Sequence, residues 1–365
     1  MTAPMSATLS AQAKMIDSRY ILPFETAQET DHPRMGGKCA SLARMIAMGI
    51  PVPRGFAVAT DAYAAHLAAG GLEAAIREEL SHLDTHNVTD EEERSTAIRR
   101  LVNDRAMPAE VETAIRAAYA LMAPGDDVPV AVRSSATAED MPDASFAGQQ
   151  DTYLWVVGAA EVVAKVRACW SSLFTARAMS YRADHNLGQI EVLMAVAVQE
   201  MVDARSAGVA MTLDPINGDR TKIVIDSSWG LGESVVSGEI TPDNFIVEKV
   251  LMQVQKRRIA VKTHEIVADR AARRTTDREV EAERQSQPSL SDDEVIAVAQ
   301  LARRLEKAIG GPQDLEWAID RQSRLVALQC RPETVWSQKK AAPQSFAMGI
   351  EGVLGTLMAP LQNKN

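Results

Sequence analysis

The stretch of residues 314–334 constrains the fold of this chain more than any other part of the sequence. Residues 315–320 and 325–331 alternate between apolar and polar side chains, and a polar segment at 321–324 separates them. Alternation over short runs that are joined by a polar segment is typical of two antiparallel strands and a four-residue loop. The sequence therefore predicts a β-hairpin near this end of the chain.

The length of the loop sets the register between the two predicted strands. A four-residue loop pairs Asp320 with Leu325, and the same antiparallel register places Glu316 directly opposite Gln329. Because side chains alternate between the two faces of a strand, we expect one polar and one apolar face. The polar face comprises Asp314, Glu316, Gln329 and Arg331, and the core-directed face comprises Leu315, Trp317, Ile319, Val326 and Leu328.

The polar face of this hairpin carries the side chains that suit a magnesium-bound polyphosphate. Carboxylate and amide oxygens coordinate hard cations, and a guanidinium group binds phosphate oxygens with two parallel hydrogen bonds. An ordinary amphipathic hairpin with a solvated outer face fits the pattern equally well, because alternation alone carries no chemistry. The choice between the two interpretations depends on residues elsewhere in the chain.

The composition narrows the classes of protein to which the chain can belong. Its 365 residues are enough for two or three subdomains with their own cores. The 39 basic and 49 acidic residues give a net charge of −10, which disfavours nucleic acid as a partner. We expect no membrane span and no secretion signal, because the apolar runs are too short. The three cysteines show no Cys-x-x-Cys spacing, which disfavours a zinc site and indicates a reducing, cytoplasmic location.

Hydrophobic periodicity along the rest of the chain predicts a mixed α/β fold. Helices are predicted at residues 61–122, at 162–181 and from a capping box at Ser291 to a glycine stop at Gly310. Strands are predicted at residues 128–133, 152–157, 192–198, 222–225 and 245–250, with a glycine-rich loop at 229–238 and an exposed excursion at 267–287. Residues 337–365 show no clear period, and we expect them to be a tail that could dock a partner.

A Gly-Gly-Lys sequence ending at Lys38 precedes a predicted helix. The positive N-terminus of a helix with a lysine beside it is a favourable place for phosphate. A loop with an ordinary surface lysine is the alternative interpretation of this short motif.

Two strand ends supply further candidate residues. The strand that ends at Arg133 opens into a long loop of small, hydroxyl-bearing and glycine residues, which returns to a strand at Thr152. Such a loop can close over phosphates through its backbone N–H groups, and Arg133 adds positive charge. The loop is also longer than a simple connector requires. At the end of the buried strand at 192–198, Gln199 offers an amide to an adenine ring, although a plain strand end would look the same.

Taken together, these motifs resemble the ATP-binding N-terminal region of the family that comprises phosphoenolpyruvate synthase, pyruvate phosphate dikinase and rifampicin phosphotransferase. The resemblance covers about residues 35–334, with the motifs in the order of the family. The motifs are Gly-Gly-Lys38, Val-Arg133-Ser-Ser-Ala, Ser-Phe-Ala-Gly148-Gln-Gln-Asp-Thr152, Val-Gln199-Glu-Met, Gly208-Val-Ala-Met-Thr-Leu-Asp214-Pro, Trp229-Gly-Leu-Gly-Glu, Asp314-Leu-Glu316 and Gln329-Cys-Arg331-Pro-Glu-Thr.

The resemblance implies an ATP-grasp fold in which ATP lies between two subdomains, one at residues 1–190 and one at 191–336. It also implies that ATP and Mg²⁺ are the ligands. By this resemblance, Lys38, Arg133 and Arg331 contact phosphates, Gly148 and Thr152 belong to the phosphate-covering loop, Gln199 lies at the adenine edge, and Glu316 and Gln329 hold Mg²⁺, with Asp314 as a weaker candidate.

The chain departs from the family in its histidines. Family members carry a phosphorylatable histidine in a mobile domain, within a motif rich in Gly, Thr and Ser. None of the histidines of this chain stands in such a motif, and they are His32, His66, His82, His86, His185 and His264. Because a phosphorylated histidine must travel between two sites, we expect it on a larger partner subunit that also carries the acceptor site.

A dikinase divided between two chains resembles phenylphosphate synthase. By that resemblance, ATP pyrophosphorylates the histidine of the partner, AMP and phosphate leave, and the phosphohistidine phosphorylates phenol. The alternatives are the ATP-binding part of a phosphoenolpyruvate synthase-like or antibiotic phosphotransferase system, a self-contained ATP-grasp ligase that releases ADP, and a non-catalytic ATP-binding regulatory subunit.

Overall fold

Two β-sheets carry the residues that the sequence singles out. The structure is a computed structural model that describes residues 17–85, 87–122, 128–137, 140–141, 144–145, 151–185, 187–334 and 336. Helices and sheets alternate along the chain, which confirms the predicted mixed α/β class. Within the described residues, no helix is both long and apolar enough to cross a bilayer.

The elements follow one another in this order. The strands are β1 (Ile21–Pro23), β2 (Gly55–Val58), β3 (Val130–Ala136), β4 (Asp140–Met141), β5 (Ala144–Ser145), β6 (Thr152–Val156), β7 (Met194–Glu200), β8 (Ala204–Met211), β9 (Lys222–Trp229), β10 (Asp243–Glu248), β11 (Gln253–Arg258), β12 (His264–Asp269), β13 (Arg274–Glu279), β14 (Gln313–Asp320) and β15 (Leu325–Pro332). The helices are α1 (His32–Ala47), α2 (Thr60–Ala68), α3 (Leu72–Ser81), α4 (Val88–Asp104), α5 (Ala109–Met122), α6 (Ala159–Ser171), α7 (Ala176–Asp184), α8 (Glu233–Ser237), α9 (Ala282–Gln285) and α10 (Asp292–Ile309).

The first sheet has the strand order β1-β2-β7-β3-β6, and every pair in it is antiparallel. Its central strand β7 is buried on both faces, as the apolar run at residues 192–198 predicts. Val196 and Val198 point into a core that the sheet shares with residues of helices α2 to α7. Ala197, on the other face, belongs to a second core with α1. The first sheet is therefore covered on both sides.

The second sheet has the strand order β11-β10-β9-β8-β14-β15. One face packs on α1 and α10 through residues such as Leu42, Val298 and Trp317. Helix α10 begins at the predicted capping box, in which Ser291 and Glu294 bond reciprocally, and Gly310 ends it with a φ of 95°. Both predicted ends of this helix are confirmed.

The hairpin of β14 and β15 is confirmed, and so is the pairing of Glu316 with Gln329. The expected pairing of Asp320 with Leu325 is wrong, because a β-bulge shifts the register and Leu325 pairs with Ile319. Because the bulge adds one residue to β15, the side chains between the bulge and the loop lie on the faces opposite to those predicted. Leu325 and Ala327 pack into the core with Trp317, whereas Val326 and Leu328 lie on the opposite face beside Ala318. Val326 and Leu328 therefore do not share the face of Trp317 as predicted, but pack against the smaller core around Ala318.

The excursion predicted at residues 267–287 is a second hairpin followed by a short helix. Strands β12 and β13 pair antiparallel over their full length and form a two-stranded sheet of their own. The backbone N–H of Leu231, which follows β9, donates to the carbonyl of Ile266 at 2.8 Å. Many charged side chains on β13 hide the alternation, so the sequence did not indicate these strands.

The boundary predicted between residues 190 and 191 does not coincide with the division between the sheets. Strand β7 follows that boundary but pairs with β2 and β3 of the first sheet. The chain passes to the second sheet only between Glu200 and Ala204. The described residues up to Pro332 group into one unit and those from Glu333 into another. The division into two subdomains stays a proposal, and the predicted tail at 337–365 lies outside the described residues.

Candidate functional site

Helix α1 holds Lys38 against the first sheet. The sequence predicted that this helix begins after Lys38, but it begins at His32 and is interrupted at Gly36, where φ is 67°. A Cβ atom on Gly36 would lie 2.0 Å from the carbonyl oxygen of Ser135, so only glycine allows this approach. The Nζ atom of Lys38 donates to the carbonyl of Ser134 at 3.0 Å. The lysine is therefore fixed beside the end of β3.

Ser135 lies within one of the family motifs, but no role was predicted for it from the sequence. Its hydroxyl accepts from the backbone N–H of Cys39 at 3.2 Å and donates to the carbonyl of Met35 at 2.9 Å. Because the two bonds lie on either side of the interruption at Gly36, they fix both segments of α1 to β3. A serine near a candidate phosphate-binding arginine does not by itself predict this contact. The contact can be recognised only when the strand and the helix are known to lie side by side.

Arg133 and Glu316 form an ion pair between the two sheets. The Nη2 atom of Arg133, on β3, donates to the Oε2 atom of Glu316, on β14, at 2.9 Å. The side chains are 16% and 25% exposed, so solvent screens the pair only in part. The Nε atom of Arg133 is buried and has no acceptor among the described residues. The guanidinium group thus retains a donor that the protein does not use.

Gln329 lies opposite Glu316 on the neighbouring strand, so both side chains are on one face of the second sheet. The Oε1 atom of Gln329 is buried and accepts no hydrogen bond from the described residues. An unpaired buried acceptor costs about 1–3 kcal/mol, which a ligand could recover. A carboxylate beside such an amide oxygen fits Mg²⁺. No cluster of three or more His, Cys, Asp or Glu side chains in the described part of the chain could hold a metal by itself. A cation here would therefore need further oxygen ligands.

Arg331 and Asp314 extend the same face toward the beginning of β14. They pair across the two strands, and the Nε atom of Arg331 lies 3.4 Å from the Oδ2 atom of Asp314. The side chain of Arg331 is 50% exposed, whereas that of Asp314 is 27% exposed. The guanidinium group is thus held at the rim by a carboxylate and remains open to solvent.

The first sheet places three of the predicted residues on one face. Arg133 pairs with Thr152 of β6 on one side and with Ala197 of β7 on the other, and Gln199 follows two residues after Ala197. Side chains two residues apart share a face, so Arg133, Thr152 and Gln199 point the same way. Gln199 is buried and its Nε2 atom has no acceptor among the described residues, whereas Thr152 is exposed. Gly148 lies outside the described residues.

A cavity of about 490 Å³ opens along β6, a volume within the range of small-molecule sites. Its lining includes Thr152, Lys165, Glu233 and Arg273. Burial, and then the neighbouring carboxylate of Glu239, raise the pKa of Glu233. Of the residues predicted to bind ATP or metal, only Thr152 lines this cavity, and neither Arg133 nor Glu316 belongs to its lining.

Two side chains that could act as nucleophiles are buried and inert, Cys330 next to Gln329 on β15 and His66 on α2 in the core of the first sheet. Burial, and then the carboxylate of Asp314, raise the pKa of the Cys330 thiol to about 12, so the thiol stays neutral. His66 is fully buried, and its Nε2 atom lies 3.1 Å from the carbonyl of Val102. Burial lowers the pKa of His66, as expected for a core histidine. These observations disfavour covalent catalysis by either side chain.

Comparison with known proteins identifies a family to which the sequence of this chain is similar. A family described as "Pyruvate phosphate dikinase, AMP/ATP-binding domain" matches residues 32–348. A probable phosphoenolpyruvate synthase of Methanothermobacter thermautotrophicus is 41% identical over 330 residues, which cover 90% of this chain and 47% of that protein. A second probable phosphoenolpyruvate synthase, from Staphylothermus marinus, is 40% identical over 352 residues, covering 89% of this chain and 42% of that protein.

A rifampicin phosphotransferase of Streptomyces sviceus is similar to the same degree. It is 41% identical over 353 residues, which cover 95% of this chain and 40% of that protein. The chain thus spans less than half the length of each of these three relatives. The similarity therefore concerns one part of proteins with different named activities.

Proposed function

The chain belongs to the family of the pyruvate phosphate dikinase AMP/ATP-binding domain, and on that premise we propose that it binds Mg-ATP between its two sheets and donates phosphoryl groups from it. The observation that carries this proposal is the Arg133–Glu316 pair, with the buried, unpaired Oε1 atom of Gln329 beside it. Cationic groups of the first sheet and oxygen ligands of the second sheet meet there. An ATP-grasp fold would place a nucleotide in this position.

Each candidate residue has a role that its surroundings support. Arg133 approaches from the first sheet, Lys38 from α1 beside it, and Arg331 lies at the rim of the second sheet, so a polyphosphate would meet positive charge on both sides. Glu316 and Gln329 would hold Mg²⁺, which when bound neutralises charge on phosphate oxygens. The unpaired amide of Gln199 suits a polar edge of adenine. Thr152 and Gly148 would belong to the loop that covers the phosphates, and Asp314 would orient Arg331 rather than bind the metal.

The charge pair also explains how the site stays ordered before it binds a ligand. Two partly buried charges without partners would cost several kcal/mol, and pairing Arg133 with Glu316 avoids most of that cost. Phosphoryl transfer depends mainly on positioning and electrostatic stabilisation. Arg133 supplies the positive charge, and its position is fixed by β3 and by the carboxylate. We therefore assign Arg133 to the transferred phosphates.

The acceptor is proposed from the named activities of the relatives. These are phosphoenolpyruvate synthases and a rifampicin phosphotransferase, which favour a phosphoenolpyruvate synthase-like or antibiotic phosphotransferase system over phenol. In such a system a histidine in another domain or on a partner subunit would take the phosphoryl groups, and AMP and phosphate would be released. Phenol, suggested by the resemblance to phenylphosphate synthase, is kept as one arm of the test.

A count of nucleotide products tests this proposal. Purified protein is given Mg-ATP alone, then with the proteins that co-purify with it, and then with pyruvate, rifampicin or phenol. We expect Mg-ATP binding in every case, and AMP and phosphate in equal amounts only when a histidine-bearing component is present. ADP as the product would favour the ligase alternative, and binding without any product even in the presence of the histidine-bearing component would favour a regulatory subunit. Failure to bind Mg-ATP would overturn the proposal itself.

A further inference from the structure

One face of α1 reaches both halves of the candidate site. Lys38 and Ser41 are three residues apart on this helix, so their side chains are neighbours on its surface. Lys38 donates to the carbonyl of Ser134 in the first sheet. Ser41 donates through its hydroxyl to the carbonyl of Cys330 in the second sheet at 2.6 Å. The helix thus joins β3 to β15 through two adjacent side chains.

The residue that Ser41 contacts lies between two candidate ligand-binding residues. Cys330 separates Gln329 from Arg331, and its thiol points the other way, into the core, where it lies 3.3 Å from the Oε1 atom of Gln313. A bond to its carbonyl fixes the peptide group that leads to Arg331, and the buried thiol fixes the residue from the core side. The hydroxyl of Ser41 therefore acts on both flanking side chains through the backbone.

Strand β15 needs support of this kind. It is the edge strand of the second sheet, and its pairing with β14 is irregular at the bulge next to Gln329. A bulge disrupts the regular ladder and bends the strand locally. The bonds that brace its outer side come from α1 and from the segment after it, since the N–H of Ala327 donates to the carbonyl of Pro51 at 2.8 Å. The bond from Ser41 is the one nearest to the candidate ligand-binding residues.

We infer that Ser41 is a positioning residue, whose hydroxyl sets the distance between Lys38 and the Gln329–Arg331 segment. This inference rests on the proposed function, because it assigns Ser41 a part in Mg-ATP binding. A serine suits the position, since a short side chain with one donor reaches a carbonyl from an adjacent helix. The competing interpretation is that the bond only fastens a helix to a strand. That interpretation predicts a change in stability without a specific change in nucleotide affinity.

Variants of Ser41 and a matched control distinguish the two interpretations. Ser41→Ala removes the hydroxyl, and Ser41→Thr and Ser41→Val form a pair of equal shape that differ in the hydroxyl alone. Ser206→Ala is the control, because Ser206 also donates to a distant backbone carbonyl, that of Ser289, at 2.7 Å in a buried place. For each variant, calorimetry gives the affinity for a non-hydrolysable ATP analogue with Mg²⁺ and with EDTA, and a melt gives the unfolding temperature.

We expect Ser41→Ala and Ser41→Val to weaken Mg-dependent binding about tenfold, the size of one lost hydrogen bond. Binding in EDTA should fall less, because Gln329 then has no metal to hold. Ser41→Thr should stay within about twofold of the wild type. Ser206→Ala should lower the unfolding temperature and leave the affinity within about the same margin, since its bond braces a buried place outside the site.

Equal affinities for the wild type, Ser41→Ala and Ser41→Val would overturn the inference. The hydrogen bond from Ser41 would then only hold α1 against β15. If Ser41→Ala does not fold, the Thr and Val pair decides alone. Wild-type protein that fails to bind the analogue with Mg²⁺ would refute the proposed function rather than the role of Ser41. The two failures are therefore distinguishable.

Discussion

The two hairpins in the second half of the chain are both antiparallel, but they differ in whether their buried polar side chains have hydrogen-bond partners. Strands β12 and β13 form an isolated two-stranded ribbon, whereas β14 and β15 belong to the six-stranded sheet. In the ribbon, the buried carboxylate of Glu265 accepts from Arg278 and lies 3.5 Å from Arg284. In the other hairpin, Gln329 has a buried oxygen without a donor among the described residues.

This difference indicates which charged hairpin is a site. In the ribbon, two arginines neutralise the carboxylate of Glu265, so this buried group is not available to a ligand. On the polar face of β14 and β15, the buried oxygen of Gln329 is an exception to the rule that buried polar groups are hydrogen-bonded, and such a group is available to a ligand. Arg133 also faces this hairpin from the first sheet. Matched substitutions in the two hairpins test whether only the hairpin of β14 and β15 takes part in ATP binding.

The largest effect is expected from removing one negative charge on each hairpin. Glu316→Gln keeps the shape of the side chain and removes its charge, and we expect Mg-dependent ATP turnover to fall on the order of 10²-fold. Asp277→Asn makes the same change on an exposed position of β13 and should leave turnover unchanged. Steady-state AMP release at saturating ATP and Mg²⁺, with the histidine-bearing component present, measures both. Equal losses in the two variants would erase the distinction between the hairpins.

Removing positive charge is expected to have the next largest effect. Arg133→Met and Lys38→Met each remove a cation from the phosphates, and each should lower the rate by about 10²-fold at most. The control is Arg278→Met, which removes an arginine from the ribbon and should affect unfolding temperature more than turnover. Losses below about threefold for both Arg133→Met and Lys38→Met would mean that the phosphates bind elsewhere.

Gln329→Leu should separate function from stability. The substitution removes the buried oxygen that has no donor, so the unfolding temperature should stay constant or rise. The Mg²⁺ concentration needed for half-maximal ATP binding should increase about tenfold, because an amide ligand is lost. A melt and an Mg²⁺ titration test the two parts separately. A lower unfolding temperature together with an unchanged Mg²⁺ requirement would contradict both.

The sequence predicted the site hairpin better than it predicted the sheet around it. Alternation and an assumed four-residue loop predicted the pairing of Glu316 with Gln329, and this pairing is correct because the bulge offsets the register error at the loop end. The bulge could not be predicted from the hydrophobic pattern. One extra residue leaves the alternation along β14 intact and changes only which residues of β15 pair with it. The positions of Val326 and Leu328 were wrong for that reason. Register near the loop depends on turn geometry that residue types alone do not determine.

Strand β8 shows the opposite case, an element with almost no signal in the sequence. It is rich in alanine and includes Gly208, which have low strand propensity. A Cβ atom on Gly208 would lie 1.9 Å from the carbonyl oxygen of Asp226, so tertiary packing requires glycine there. Likewise, the ion pair between Arg133 and Glu316 joins positions 183 residues apart and could be foreseen only through the family resemblance. Long-range packing decides such features.

The smallest effect is expected at the loop end of the same hairpin. Burial tends to raise the pKa of Asp320, but hydrogen bonds from Arg324 and Gln322 outweigh it and lower that pKa below its ordinary value of 3.8. The charged form therefore stabilises the fold fully above about pH 4, and that stabilisation is lost as the pH falls through the lower folded pKa. Asp320→Asn should cost about 1 kcal/mol at pH 7 and progressively less toward pH 2. Denaturant unfolding at several pH values checks this, and a cost that is independent of pH would contradict it.

The most direct measurement replaces Mg²⁺ with Mn²⁺ and follows free Mn²⁺ by electron paramagnetic resonance in the presence of ATP. We expect the wild type and Asp277→Asn to bind Mn²⁺ with the same affinity, and Glu316→Gln to bind it at least about tenfold more weakly. Such a result would place the metal at the face of the hairpin that opposes Arg133. Wild-type Mn²⁺ affinity in Glu316→Gln would contradict that placement.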